Sequence, residues 1–139
     1  MFDFKRILEL HTEVRRKEGI IIRLRQRATD TTVHLTNMPK GGGDGQRMER
    51  DVIEIRAAEE DLERARAELA TMKAQLRVEM KKLHKWQHRM IIKKRYLEGK
   101  RLEDVAYETN YCWSHMNRCR KEAEEIINRN TNKKGDSMG

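Results

Sequence analysis

Residues that interrupt helices are scarce in this 139-residue sequence, and so are residues that build a deep core. Proline occurs once, at Pro39, and four of the eight glycines lie together between residues 41 and 45. Aromatic residues make up only 5% of the chain, whereas charged residues make up 39%. This composition is typical of long helices with shallow packing and predicts an all-α fold.

Long apolar runs and cysteine motifs are also missing. The longest apolar runs, such as residues 20–22, are too short to span a bilayer, and the charged N-terminus predicts no signal peptide. Cys112 and Cys119 lie seven residues apart in a predicted helix, so they cannot bridge each other. No C-x-x-C spacing indicates a metal site. We therefore expect a cytoplasmic protein with free thiols and no membrane contact.

Two helical segments are predicted before residue 86. Residues 1–28 form an N-terminal helix, whose apolar positions at helical spacing are Phe4, Ile7, Leu8, Val14, Ile21, Leu24 and Ala28. Residues 29–45, TDTTVHLTNMPKGGGDG, predict a flexible linker, because β-branched residues, a proline and clustered glycines disfavour helix. Residues 46–85, without glycine or proline, predict a long central helix.

The central helix carries only half of an apolar heptad. One of the two core positions of the heptad is aliphatic throughout, at Ile55, Leu62, Leu69, Leu76 and Leu83. The other core position is interrupted by the charged residues Glu59, Arg66 and Lys73. This pattern favours an antiparallel helical hairpin, in which the N-terminal helix folds back through the linker. Homodimerisation through the same stripe, as a coiled coil between two chains, is the alternative.

Positive charge is concentrated in one segment. The chain has a net charge of +8, and residues 81–121 alone contain 12 basic and 4 acidic residues. Residues 44–80 contain 7 basic and 10 acidic residues. A local excess of this kind predicts an anionic partner, although a solvated lysine-rich helix face explains the charge equally well.

Residues 86–129 have the pattern of a helix-turn-helix. A helix is predicted to stop near Gly99, and residues 102–109 predict a short helix with Val105 facing inward. Asn110 follows as a residue that tolerates the left-handed conformation of a tight turn. The final helix is predicted from residue 112 to about residue 128, and residues 130–139 predict a disordered tail.

The segment 95–127, RYLEGKRLEDVAYETNYCWSHMNRCRKEAEEII, resembles region 4 of sigma-70-type factors. The matching positions are Arg95, Tyr96, Gly99, Leu102, Glu103, Val105, Ala106, Tyr111, Met116 and Ala123. The whole chain more loosely resembles small transcription regulators of phages of Gram-positive bacteria, the ArpU and RinA type. The resemblance implies a phage-encoded regulator that binds double-stranded DNA at late-gene promoters in the bacterial host cytoplasm, with host RNA polymerase as a further partner.

Carried over position by position, the resemblance assigns DNA contacts to the final helix. Arg118 is expected to pair with guanine and Asn117 with adenine, whereas phosphate contacts are expected from Lys100, Arg101 and Lys121. Ser114, His115 and Trp113 complete the exposed face, although packing is favoured for Trp113. Cys112 stands where a serine or threonine usually caps the helix, and this loss costs about 0.5–2 kcal/mol.

No catalytic, metal or cofactor site is predicted. His84 and His88 have metal-capable spacing but lack the glutamate of a zinc-protease motif, so a surface or structural role is favoured. Trp86, Met90 and Tyr96 are interpreted as core residues. Competing functions are a small-terminase-like DNA-packaging protein, a sigma-like protein that binds RNA polymerase, and a coiled-coil scaffold.

Overall fold

A computed structural model describes residues 1–37 and 43–138, with side chains for residues 1–29 and 47–129. The described residues are all-α and contain no strand. The helices are α1 (Phe4–Asn37), α2 (Gly43–Glu79), α3 (Trp86–Ile92), α4 (Leu102–Thr109) and α5 (Trp113–Met138). None of the helices in the described part of the chain is both long and apolar enough for a transmembrane segment.

The C-terminal end of α1 and the N-terminal end of α2 both extend further into the predicted linker than expected. Helix α1 continues to Asn37 instead of ending at residue 28, and α2 begins at Gly43. The predicted linker 29–45 is therefore wrong over residues 29–37 and 43–45. Its remaining residues, 38–42, lie outside the described part of the chain. The β-branched residues in TDTTVHLTN only weaken helix, so local propensity does not stop α1 there.

The predicted central helix 46–85 ends early. After Glu79 the chain forms a 3₁₀ turn, Met80–Lys82, and the backbone is extended at Leu83 and Lys85. Leu83 is fully buried, and its carbonyl oxygen accepts a hydrogen bond from Arg89 Nε at 2.7 Å. This break ends α2 and starts α3 without glycine or proline, because burial of Leu83 and the Arg89 contact stabilise the extended backbone.

The chain divides into two compact units, of which one comprises residues 10–68. Within this unit α1 and α2 run antiparallel. Ion pairs join Lys17 to Asp61, Glu18 to Arg66, Arg25 to Glu59, and Arg27 to Asp51 and Glu54. Residues later in α1 therefore pair with residues earlier in α2, which is the pattern of two antiparallel helices. The predicted hairpin is therefore present within a single chain.

The apolar side of this hairpin is shallow. Leu62 and Ala65 of α2 are buried, as is Ile21 of α1, whereas Ile55 is only half-buried. Most of the ion-paired side chains around them remain partly exposed. The two helices of this unit are therefore held together by a narrow apolar stripe flanked by ion pairs, which agrees with the low aromatic content of the chain.

The other unit comprises Met1–Glu9 and Leu69–Gly139. Its core is formed by side chains of all five helices and of the segments between them, namely Ile7, Leu76, Leu83, Ile91, Ile92, Tyr96, Val105, Met116, Ala123 and Ile127. Tyr96 occupies its predicted core position, but Trp86 does not, because 62% of its surface is exposed. The first residue of α3 points into solvent directly after the break that sequence patterns did not reveal.

Two left-handed residues set the directions of α4 and α5. The helix that begins at Trp86 continues as a π-helical segment, Lys93–Leu97, and stops at Gly99, whose φ is 71°. Asn110 ends α4 with φ 59°. Both residue types tolerate this conformation at low cost, and both stops lie where the sequence placed them. Helix α5 extends to Met138, so the prediction of a disordered tail over 130–139 is wrong up to that residue.

Candidate nucleic-acid interface

Helices α3, α4 and α5 pack around one small apolar cluster. Ile91, Val105, Met116 and Cys119 are its buried members, and Leu102, Ala106 and Tyr111 pack against them from the side. Ala106 lacks a long side chain, so α4 can approach α5 closely at this point. Helices α4 and α5 are joined by a short turn, pack on each other through this cluster, and leave the opposite side of α5 exposed, as expected for a helix-turn-helix.

The solvent side of α5 is formed by residues at helical spacing. Ser114, Arg118 and Lys121 lie at i, i+4 and i+7, opposite the buried Met116, and all three are exposed. Arg118 makes no ion pair with any residue that the structure describes. Two cations and a hydroxyl therefore point outward from the first turns of α5, which is the end that enters a groove in a helix-turn-helix complex.

Trp113 begins α5 and is 49% exposed. About half of its surface is therefore covered by the protein and half is open to solvent. Its amphipathic ring is thus available at the N-terminal end of the exposed face.

His115 is exposed but restrained by two neighbours. Its ring lies edge-on to Tyr111, with centroids 4.6 Å apart, and its Nε2 is 3.9 Å from Cys119 Sγ. Cys119 is buried, and burial raises the pKa of its thiol. A reactive thiolate is therefore disfavoured at this position.

Asn117 is half-buried and belongs to a hydrogen-bonded chain that sequence analysis missed. Arg120 donates from Nη2 and Nε to Asn117 Oδ1 at 3.2 and 3.4 Å, and from Nη1 to Glu124 Oε2 at 2.7 Å. The Tyr96 hydroxyl donates to the same Glu124 oxygen at 2.6 Å. Burial and this hydrogen bond raise the pKa of Tyr96, so the phenol remains protonated. The only signal in the sequence is the i, i+4 spacing of Arg120 and Glu124.

Lys100 and Arg101, predicted phosphate contacts, are paired with carboxylates of the same module. Lys100 Nζ lies 2.7 Å from Glu108 Oε2 and 3.4 Å from Glu98 Oε1, and a hydrogen bond from Lys100 lowers the pKa of Glu108. Arg101 Nε lies 3.4 Å from Asp104 Oδ2. Both cations remain partly exposed, but each must leave or share a carboxylate in order to contact a phosphate.

The two histidines at metal-capable spacing differ in environment. His84 is exposed, whereas His88 is buried with an Nδ1 that has no partner among the described residues. No cluster of three histidine, cysteine, aspartate or glutamate side chains suited to a metal ion occurs in the described part of the chain.

A family model described as a protein of unknown function, DUF1492, matches residues 31–128. This match covers more than two thirds of the chain, including the whole of α2, α3 and α4 and the N-terminal part of α5. No curated protein and no solved structure matches the chain.

Proposed function

The chain belongs to the DUF1492 family, and we propose that it is a sequence-specific DNA-binding transcription regulator that inserts α5 into the major groove. The observation that carries this proposal is the exposed face of α5. Arg118 and Lys121 point away from the core, and Arg118 has no ion pair in the described structure to oppose its transfer to DNA. A guanidinium on such a face can donate two hydrogen bonds to one guanine.

The charge distribution supports the same proposal. Residues 81–121, which contain this face, have a net charge of +8, equal to that of the whole chain. Phosphate contacts supply most of the affinity of DNA-binding proteins, and they need such a local excess of cations. From the resemblance to phage regulators we further propose that the target is a late-gene promoter.

The proposal is tested by selecting binding sites from a random duplex DNA library and measuring affinity for the selected site over a salt series. Wild type is compared with Arg118→Ala and with Arg129→Ala, which removes the same charge from an exposed position 11 residues further along α5. Arg118→Ala should lose about 1–3 kcal/mol of discrimination at one base pair. Arg129→Ala should keep the discrimination, because its position lies three turns from the proposed groove end.

The proposal fails if wild type selects no sequence at low salt, or if both variants lose discrimination equally. In the first case RNA polymerase becomes the partner to test. A particle of ring-forming size in solution would instead favour a small-terminase-like packaging protein.

A further inference from the structure

The hydrogen bonds around Asn117 determine which atoms of its side chain are free. Arginine has only donors, so the atom that faces Arg120 must be the carboxamide oxygen Oδ1. This assignment fixes the orientation of the amide, which would otherwise be ambiguous. The amide nitrogen Nδ2 has no hydrogen-bond partner among the described residues and is not one of the buried unpartnered atoms, so it retains some contact with solvent.

Arg120 is held in place from its other side. Its Nη1 donates to Glu124, which also accepts from the buried Tyr96 hydroxyl. Arg120 and Glu124 retain only 19% and 21% side-chain exposure. The guanidinium is therefore oriented within the protein before any ligand arrives, and both of its donors to Asn117 converge on one oxygen.

The arrangement conflicts with the adenine contact that residue type alone suggests. A bidentate asparagine–adenine pair needs Oδ1 to accept from adenine N6 while Nδ2 donates to N7. An amide oxygen has two lone pairs, and Arg120 supplies two donors to it. Only the N–H donors of Asn117 Nδ2 then remain to contact DNA, and such donors match a base edge that carries acceptors.

On the basis of the proposed DNA-binding function, we infer that Asn117 determines specificity for guanine and that Arg120 is the positioning residue that enforces this choice. Guanine offers two adjacent major-groove acceptors on one base, N7 and O6, which match two N–H donors. Adenine and cytosine each present an amino donor, which would face the Nδ2 hydrogens.

Two substitutions test the inference in the same random-library selection. Asn117→Asp keeps the size of the side chain and an acceptor for Arg120 but removes both N–H donors. Arg120→Met keeps the length of the apolar stem and frees Asn117 Oδ1. Arg129→Met is the matched control, because it removes a cation from an exposed position on the same helix.

The wild-type site should contain one G·C base pair that is preferred about five- to tenfold over A·T. Asn117→Asp should lose that preference. Arg120→Met should shift the same position towards adenine, and Arg129→Met should leave it unchanged. A purely structural role for Arg120 would lower affinity for all sequences and leave the order of bases intact, which separates positioning from folding.

The inference is overturned if the base pair affected by Asn117→Asp is A·T in the wild-type selection, or if Arg120→Met preserves the preference. It is also overturned if wild type selects a sequence but Asn117→Asp changes no position, although the proposed DNA-binding function would then stand. Absence of any selected sequence with wild type would reject the DNA-binding function and this inference together.

Discussion

Phe4, in the first turn of α1, packs against Tyr96 with the two rings tilted and their centroids 4.8 Å apart. Phe2 packs edge-on against Phe4 at 4.9 Å, and its backbone N–H donates to Asn128 Oδ1 at 3.1 Å. Tyr96 in turn donates to Glu124 of α5. The N-terminal residues thus form one wall of the unit that contains the helix-turn-helix module.

Substitution of Phe4 by alanine should therefore destabilise this unit. Loss of the ring removes the contact with Tyr96 and exposes the apolar surface beneath it, at a cost of about 1–3 kcal/mol. The free energy of unfolding in urea measures the effect. Trp86→Ala, which removes a larger aromatic side chain that is 62% exposed, is the control and should cost much less. Equal losses would show that Phe4 contributes no specific packing.

Sequence patterns located the helix-turn-helix closely because its signals are local. The bounds of α4 agree with the predicted 102–109, and the stops at Gly99 and Asn110 follow from the few residue types that accept positive φ. The inward positions Val105, Met116 and Ala123 follow from helical periodicity alone.

The rest of the fold depends on contacts that no local pattern encodes. The break before α3 contains neither glycine nor proline, and burial of Leu83 together with the Arg89 hydrogen bond stabilises it. Asn117 was assigned to adenine from residue type, whereas Arg120 already donates to its oxygen. The ion pair between Lys100 and Glu108 could not be predicted from the sequence either, because the two residues meet only once α4 has formed.

Arg25 and Glu59 provide a test of the hairpin within one chain. Both side chains are about half exposed, so their ion pair should contribute about 0.2–1 kcal/mol. Arg25→Glu should destabilise the hairpin, and the double variant Arg25→Glu/Glu59→Arg should restore part of the loss in a double-mutant cycle. Glu63→Arg, at an exposed position of α2, is the control for charge reversal.

The same variants distinguish pairing within a chain from pairing between chains. For the hairpin shown here the midpoint of thermal unfolding should not depend on protein concentration. A midpoint that rises with concentration, together with a coupling energy that disappears on dilution, would show that the ion pair joins two chains.

His88 should make stability fall as the pH is lowered. Burial, aided by Lys85 and opposed by Glu122, lowers the pKa of His88 below its ordinary value of 6.5. In the unfolded chain the imidazole regains that value, so below about pH 6.5 unfolding takes up a proton and becomes more favourable. The loss is confined to the interval between 6.5 and the lower folded-state pKa, with a slope of at most about 1.4 kcal/mol per pH unit.

Urea unfolding at pH 7.5 and 5.0 measures this contribution by comparison of wild type with His88→Leu. The variant should lose less stability between the two pH values than wild type does. His84→Leu, at an exposed position, should retain the wild-type difference. If His88→Leu has the same pH dependence as wild type, the buried imidazole does not titrate differently in the folded and unfolded states.

Glu108 accepts hydrogen bonds from both Lys94 and Lys100 at 2.7 Å and should therefore limit the affinity for DNA. Glu108→Gln removes the charge that holds both lysines, so each can turn to a phosphate. Every added phosphate contact should steepen the slope of log affinity against log salt by about 0.9. The pairs are partly exposed, so folding stability should change by only about 0–1 kcal/mol.

Glu63→Gln makes the same charge change on exposed α2 and should leave the slope unaltered, because no described lysine is bound to that carboxylate. If both variants raise affinity equally, only net charge matters. If Glu108→Gln alone steepens the slope, Lys94 and Lys100 can contact phosphates once Glu108 no longer binds them.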